Sequence, residues 1–172
     1  MELDLLSRRL PALVLLALLL VPAVAQPREY QIKSAFVLNF LKFVEWPSEK
    51  ETVVVGVLGE HAISGELKAL EAKTVRGKKV SVVPLKSVGD ARSCAAVFVA
   101  ETEAAKVEAI VTGLKGLSVL TISDIPGFTE KGGAIGLVTE RNRVRFAINS
   151  KALDAAGLKA SSKLLQLAVA VR

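Results

Sequence analysis

Hydrophobic residues recur with two different periods along this chain, and the changes of period predict its elements. From Tyr30 to Pro47 (YQIKSAFVLNFLKFVEWP), Ile32, Phe36, Val37, Phe40, Leu41, Phe43 and Val44 fall within an arc of roughly 180° at about 100° per residue. A surface helix needs an apolar stripe only a little wider than about 100°. This helix is therefore packed under two elements, or buried on one side and offered to a partner on the other. Lys33 is the one charge inside the arc and can snorkel near the helix start. Asn39 sits at the edge of the arc, next to Phe43. Pro47 ends the helix, because the residue before a proline is pushed out of the α region.

The next segments alternate. Thr52 to Leu58 (TVVVGVL) is a β-branched run that reads as a buried strand, and Ala62 to Lys73 carries Ile63, Leu67 and Leu70 at helical spacing. Val75 and Gly77 mark a turn into a second strand, Lys79 to Leu85, whose Pro84 belongs at a strand end or sheet edge. Ser87 to Ser93 predicts a short helical turn, and Ala95 to Ala100 a third strand. Glu101 to Leu114 is a helix closed by Gly116, and Leu117 to Ser123 a fourth strand. That order is the pattern of a largely parallel sheet covered on both faces. Turn residues then dominate from Asp124 to Gly133. Ala134 to Thr139 and Arg143 to Asn149 follow as strands, joined through Glu140-Arg141-Asn142 as an antiparallel hairpin. A short helix, Ser150 to Ala156, is closed by Gly157. Ser161 or Ser162 caps a last amphipathic helix running through Leu164, Leu165, Leu167, Ala168 and Val171. The expected architecture is one three-layer α/β domain: a mostly parallel sheet of about six strands, a C-terminal antiparallel hairpin, and helices on both faces.

Composition changes this picture at the N-terminus. Arg8 and Arg9 precede an uncharged apolar run from Leu10 to Val24, and Ala23-Val24-Ala25 has the small-x-small form of a signal-peptidase site. The run is shorter than a membrane span. We therefore expect residues 1–25 to be an export signal and residues 26–172 the mature domain, placed in the periplasm. The mature net charge stays at +6, because the signal holds two acids and two arginines. Export argues against nucleic acid and for an acidic surface or partner, with simple solubility as the plainer reading. Cys94 is the only cysteine, so no internal disulfide forms. It is a small buried hydrophobe or, on a sharper reading, the site of an intermolecular disulfide or a redox-sensitive thiol.

The search for chemistry is mostly negative. One His and one Cys give no metal-ligand cluster, and the chain lacks a nucleophile elbow, a P-loop and a dinucleotide fingerprint. A Ser-His-Asp triad would have to use His61, which follows the first strand, where parallel sheets bind ligands; a solvated turn residue is the plainer reading. Glu60 and Asp124 each follow a strand and can share a crevice. No enzyme class and no cofactor is expected. Two further constellations stand out. The Asp124 to Gly133 loop has glycines, including Gly132 and Gly133, whose backbone N–H groups can converge on one point with Phe128 over it. It is either a small-ligand pocket at Gly127 to Gly133 or a long connection. Arg143 and Arg145 share one face of the hairpin, with Arg141 beside them, and either meet an acidic partner or face solvent.

The sequence also resembles the YfiR-like family of exported proteins. The opening signature A-x-x-x-N-F-x-K-F-x-x-W-P appears as Ala35, Asn39-Phe40, Lys42-Phe43 and Trp46-Pro47. Further blocks run from Val119 to Asp124, through Pro126-Gly127-Phe128 and Lys131 to Ile135, to Val144 to Asn149. Ala156-Gly157-Leu158 and Ser161 to Leu165 complete the match, which covers about residues 30 to 170. The resemblance implies a periplasmic domain, flavodoxin-like in general plan, with no known catalysis. It implies a regulator that engages the periplasmic region of an inner-membrane diguanylate cyclase or sensor kinase and so affects cyclic-di-GMP and biofilm formation. It makes Asn39, Lys42 and Trp46 the first candidates for function. Redox-responsive members carry cysteine pairs; this chain has only Cys94. A homodimer and a small ligand stay open.

Overall fold

A computed structural model describes residues 25–48 and 51–172; apart from Ala25, the expected export signal lies outside them. The first helix, α1 (Ala25–Phe43), leads into a two-residue strand, β1 (Val44–Glu45). The alternating segment follows as β2 (Val53–Leu58), α2 (Ser64–Lys68) with a 3₁₀ extension, β3 (Thr74–Val75) and β4 (Lys78–Leu85). A 3₁₀ turn (Val88–Ser93) precedes β5 (Ala96–Val99), and α3 (Val107–Leu114) precedes β6 (Leu120–Ser123). The chain closes with β7 (Ile135–Glu140), β8 (Arg143–Ile148), α4 (Ser150–Ala155), β9 (Lys159–Ala160), α5 (Ser162–Leu167) and β10 (Ala170–Val171).

The main sheet has eight strands in the order β10-β8-β7-β6-β5-β2-β4-β3, and β1 pairs separately with β9. The run β4-β2-β5-β6-β7 is parallel throughout and has the 2-1-3-4-5 order of a flavodoxin-like sheet. The hairpin β7–β8 is antiparallel as expected. Its turn is tighter than the sequence suggests, because Arg141 and Asn142 both take positive φ and make a two-residue connection. Pro84 lies where β4 has no outer partner, since β3 pairs only with Lys78 and Lys79.

Alternation along each strand divides the core in two. Val55, Val57, Phe98, Leu120, Ile122, Leu137 and Phe146 face one side and meet Val37, Phe40 and Leu41 of α1, Leu67 of α2 and Leu164 of α5. Val97 and Val99 face the other side and meet Ala91, Cys94, Val107, Ile110 and Leu114. Phe40 is wholly buried between Phe36 and Phe146, with ring centroids 6.0 and 5.0 Å away. Burying such a ring stabilises the fold by about 1.5–3 kcal/mol.

Three local expectations need correction. The first helix stops at Phe43 rather than at Pro47, because other segments take its last carbonyls. Arg76 Nη2 donates to Val44 O at 2.7 Å and to Lys42 O at 3.4 Å, and Ser161 N donates to Phe43 O at 2.9 Å. The last helix ends at Leu167, and Val171 lies in β10, a parallel partner of β8. The segment from Glu101 begins as a 3₁₀ turn and becomes α-helical only at Val107.

Candidate functional site

In a sheet of this order ligands bind outside the carboxyl ends of the strands, near the reversal between the first and third strands of the set, here β2 and β5. This chain fills that region with its own residues. His61 arrives three residues after β2, and Asp124 follows β6 directly. Ser123 Oγ donates to Val99 O at 2.7 Å and accepts from Ile125 N at 3.0 Å, which fixes the start of the loop. From α1, Lys33 Nζ reaches down to Asp124 Oδ2 at 2.8 Å and to Glu29 Oε1 at 2.7 Å. Tyr30 lies edge-on to the His61 ring at 5.5 Å, and His61 in turn meets Phe98. The side chains of Lys33, His61 and Asp124 are only 8, 7 and 9 % exposed. Lys33 is therefore buried and paired rather than snorkelling, because its length carries the ammonium to the strand ends instead of to water.

The electrostatics follow from this packing. Burial alone would raise the Asp124 pKa, but His61 and Lys33 outweigh it and hold the carboxyl below its ordinary value. Burial would lower the Lys33 pKa; Asp124 and Glu29 outweigh it and raise it. Glu29 is held below its ordinary value by Lys33 and by the Thr139 hydroxyl. His61 Nε2 lies 3.4 Å from Asp124 Oδ1. Oδ1 has no hydrogen-bond partner among the described residues.

The structure brings His61 and Asp124 together, which the sequence could only leave open. Their geometry is not that of a nucleophile-activating pair. His61 Nδ1 accepts from Ile63 N at 3.0 Å and Nε2 faces the carboxylate. Neither ring nitrogen is left to take a proton from a third group. Among the described residues no group of three or more His, Cys, Asp or Glu could hold a metal.

The other candidates are dispersed. Asn39 and Lys42 are exposed and lie on the outward row of α1 with Ile32 and Ala35. Trp46 is half-buried, and its Nε1 donates to Ala95 O at 3.1 Å, so the indole ties the end of α1 to the start of β5. That gives Trp46 a share in packing that the sequence had assigned to function. Phe128 packs against Gly133 of its own loop. It is buried beside Ile125, Val107 and Ile110, and a Cβ on Gly133 would overlap its ring. The space next to Gly133 is thereby filled by the loop's own aromatic. Arg143 and Arg145 are exposed on the hairpin, with Arg141 at its tip. Cys94 is wholly buried. Its sulfur is enclosed, with no surface for an intermolecular bridge, and it packs as a small hydrophobe.

Sequence reasoning missed the partners Lys33 and Glu29 and the Arg76 clamp. A lone lysine within an apolar arc was the available signal for the first. Arg76 carried none, because its role depends on the β3–β4 turn.

Comparisons with known proteins agree with this architecture. A conserved domain protein from Vibrio cholerae O1 biovar El Tor str. N16961 has a similar structure, with TM-score 0.59 and 13% identity, over 83% of this chain and 60% of that one. The ABC domain from Streptococcus pneumonia, solved in complex with L-Trp, gives TM-score 0.54 and 12% identity, over 78% and 59%. At such identities the likeness is one of fold, and the chain spans about three-fifths of the length of both neighbours. No curated protein matches the sequence. The profile of the YfiR/HmsC-like family matches residues 30–169, from the first turns of α1 to the edge of β10, and the chain belongs to that family.

Proposed function

We propose that this protein is an exported, non-enzymatic regulator. It binds the periplasmic part of an inner-membrane signalling protein, a diguanylate cyclase or a sensor kinase, and modulates its output. Family membership over residues 30–169 carries the reading, because the family is regulatory rather than catalytic. The α1 surface supports it. The outward row Ile32, Ala35, Asn39 and Lys42 is exposed, with Ile32 at 40%, while the opposite side of the helix is core. Ala35, Asn39 and Lys42 also belong to the sequence signature of the family, although none of them is needed to fill the interior. The small Ala35 allows close approach of a partner, and Asn39 and Lys42 supply polar contacts beside it. The hairpin arginines offer a second, electropositive contact to an acidic partner.

The test is a pull-down from solubilised inner membrane, combined with cyclic-di-GMP and kinase readouts in a deletion strain. A membrane cyclase or sensor kinase should co-purify, and the deletion should change its output. Asn39→Trp and Lys42→Glu should lose regulation by tenfold or more while melting within a few degrees of wild type. No co-purifying signalling protein, together with unchanged outputs, would overturn the proposal.

A further inference from the structure

The crossing from β6 to β7 carries no helix. Parallel strands are ordinarily joined by a helix that covers the sheet, but here residues 124–134 make the connection as a loop. Phe128 fills the part of that space next to α3. Gly132, at φ +92°, turns the chain against Val111, where an added Cβ would come within 3.2 Å of Cγ1. Beyond this contact a groove of about 470 Å³ stays open between α3, β6 and α4. That volume lies within the roughly 300–1,000 Å³ of small-molecule sites.

The groove has two chemical characters. Much of its lining is apolar, with Val111 and Leu114 of α3, Val119 at the entry to β6, and Ala134, beside the polar Thr121 and Asn149. Lys115, Lys131 and Lys151 stand around it from three separate segments; all three are exposed and none has an ion-pair partner among the described residues. Glu108 is the single acid on the lining. Cations grouped around a partly apolar groove favour one sign of ligand, because their fields add where water is partly excluded. We propose that this groove binds a small organic anion, with its apolar body on the α3–β6 surface and its carboxylate, sulfonate or phosphate head among the three ammonium groups. The site is separate from the α1 surface, so its success or failure leaves the partner reading untouched.

The probe pair is 1-anilinonaphthalene-8-sulfonate and its neutral analogue N-phenyl-1-naphthylamine, titrated by fluorescence into the purified protein at low ionic strength. The sulfonate should saturate a single site and bind at least tenfold more tightly than the neutral compound. Replacing Lys115, Lys131 and Lys151 together by Ala should weaken the sulfonate at least tenfold and leave the neutral analogue unchanged. Ala155→Trp, at an exposed position on one wall, should abolish sulfonate binding. Thr112→Trp, exposed on the other wall, repeats that test should the first variant misfold, and an unchanged urea midpoint certifies either one. Equal affinity for the two probes, no saturable sulfonate binding, or wild-type affinity in a folded Trp variant would each overturn the proposal.

Discussion

Lys33 and Asp124 show how much one buried pair constrains. Each is more than nine-tenths covered, so each depends on the other for its charge. Removing one partner of a buried pair costs about 3–5 kcal/mol, whereas replacing both with apolar residues can be nearly neutral. Lys33→Met should therefore lower unfolding stability by about that amount, and Lys33→Met with Asp124→Leu should recover most of it in urea titrations. The pair also sets a pH response. The Asp124 pKa is depressed, so its contribution is complete above the unfolded value of about 3.9 and is lost as pH falls through the folded value. The Lys33 pKa is raised, so its contribution is complete below about 10.4 and is lost as pH rises through the folded value. Asp124→Asn should flatten the acid limb of stability against pH, measured from pH 5 to pH 2. An unchanged slope would mean that other depressed carboxyls, such as Glu29 and Glu130, carry it.

At the scale of the element, α1 divides its work by face. Phe40 is locked between Phe36 and Phe146, and Phe40→Ala should cost about 3–5 kcal/mol in a denaturant titration. Asn39→Ala, one residue away and exposed, should change stability by no more than about 0.5 kcal/mol. The end of the helix is an outcome of tertiary contacts. Arg76 sits in left-handed backbone, at φ 51°, in the two-residue turn between β3 and β4, and from there its guanidinium reaches Lys42 O in the last turn of α1 and Val44 O just beyond it. A helix C-terminus favours a cation because its carbonyls point outward unpaired. The first helix, the small β3–β4 hairpin and Ser161 before α5 therefore meet at one joint.

Over the whole molecule, the sheet separates two cores and is closed at one side by very little. β10 pairs with only Ala147 and Ile148 of β8, and Arg172 adds a 2.8 Å ion pair to Glu130 and a backbone bond from Ser150 N. Truncation after Ala168 would remove this cover and leave the β8 edge bare. An uncovered edge strand invites pairing with another chain. The truncated protein should self-associate in light scattering at concentrations where the full chain does not.

Much of this was legible along the chain because it is local. The apolar runs at 52–58, 95–100 and 117–123 read as strands, and their alternation with helical spacing is the pattern of a largely parallel sheet. The two-faced pattern of 143–149 predicted the hairpin, and Ser161 caps the last helix, as one of the two serines expected to do so. What the chain alone left open depended on residues distant in sequence. Asp124 meets Lys33 across 91 positions, Trp46 meets Ala95 across 49, and Arg76 meets Val44 across 32. Periodicity records which face of an element is apolar, but not which other element covers it. The sequence by itself thus determined the layers, the hairpin and the family signature. Only the tertiary structure decided that Lys33 is buried, that Phe128 fills its own loop, and that a helix-less crossing leaves a groove among three lysines.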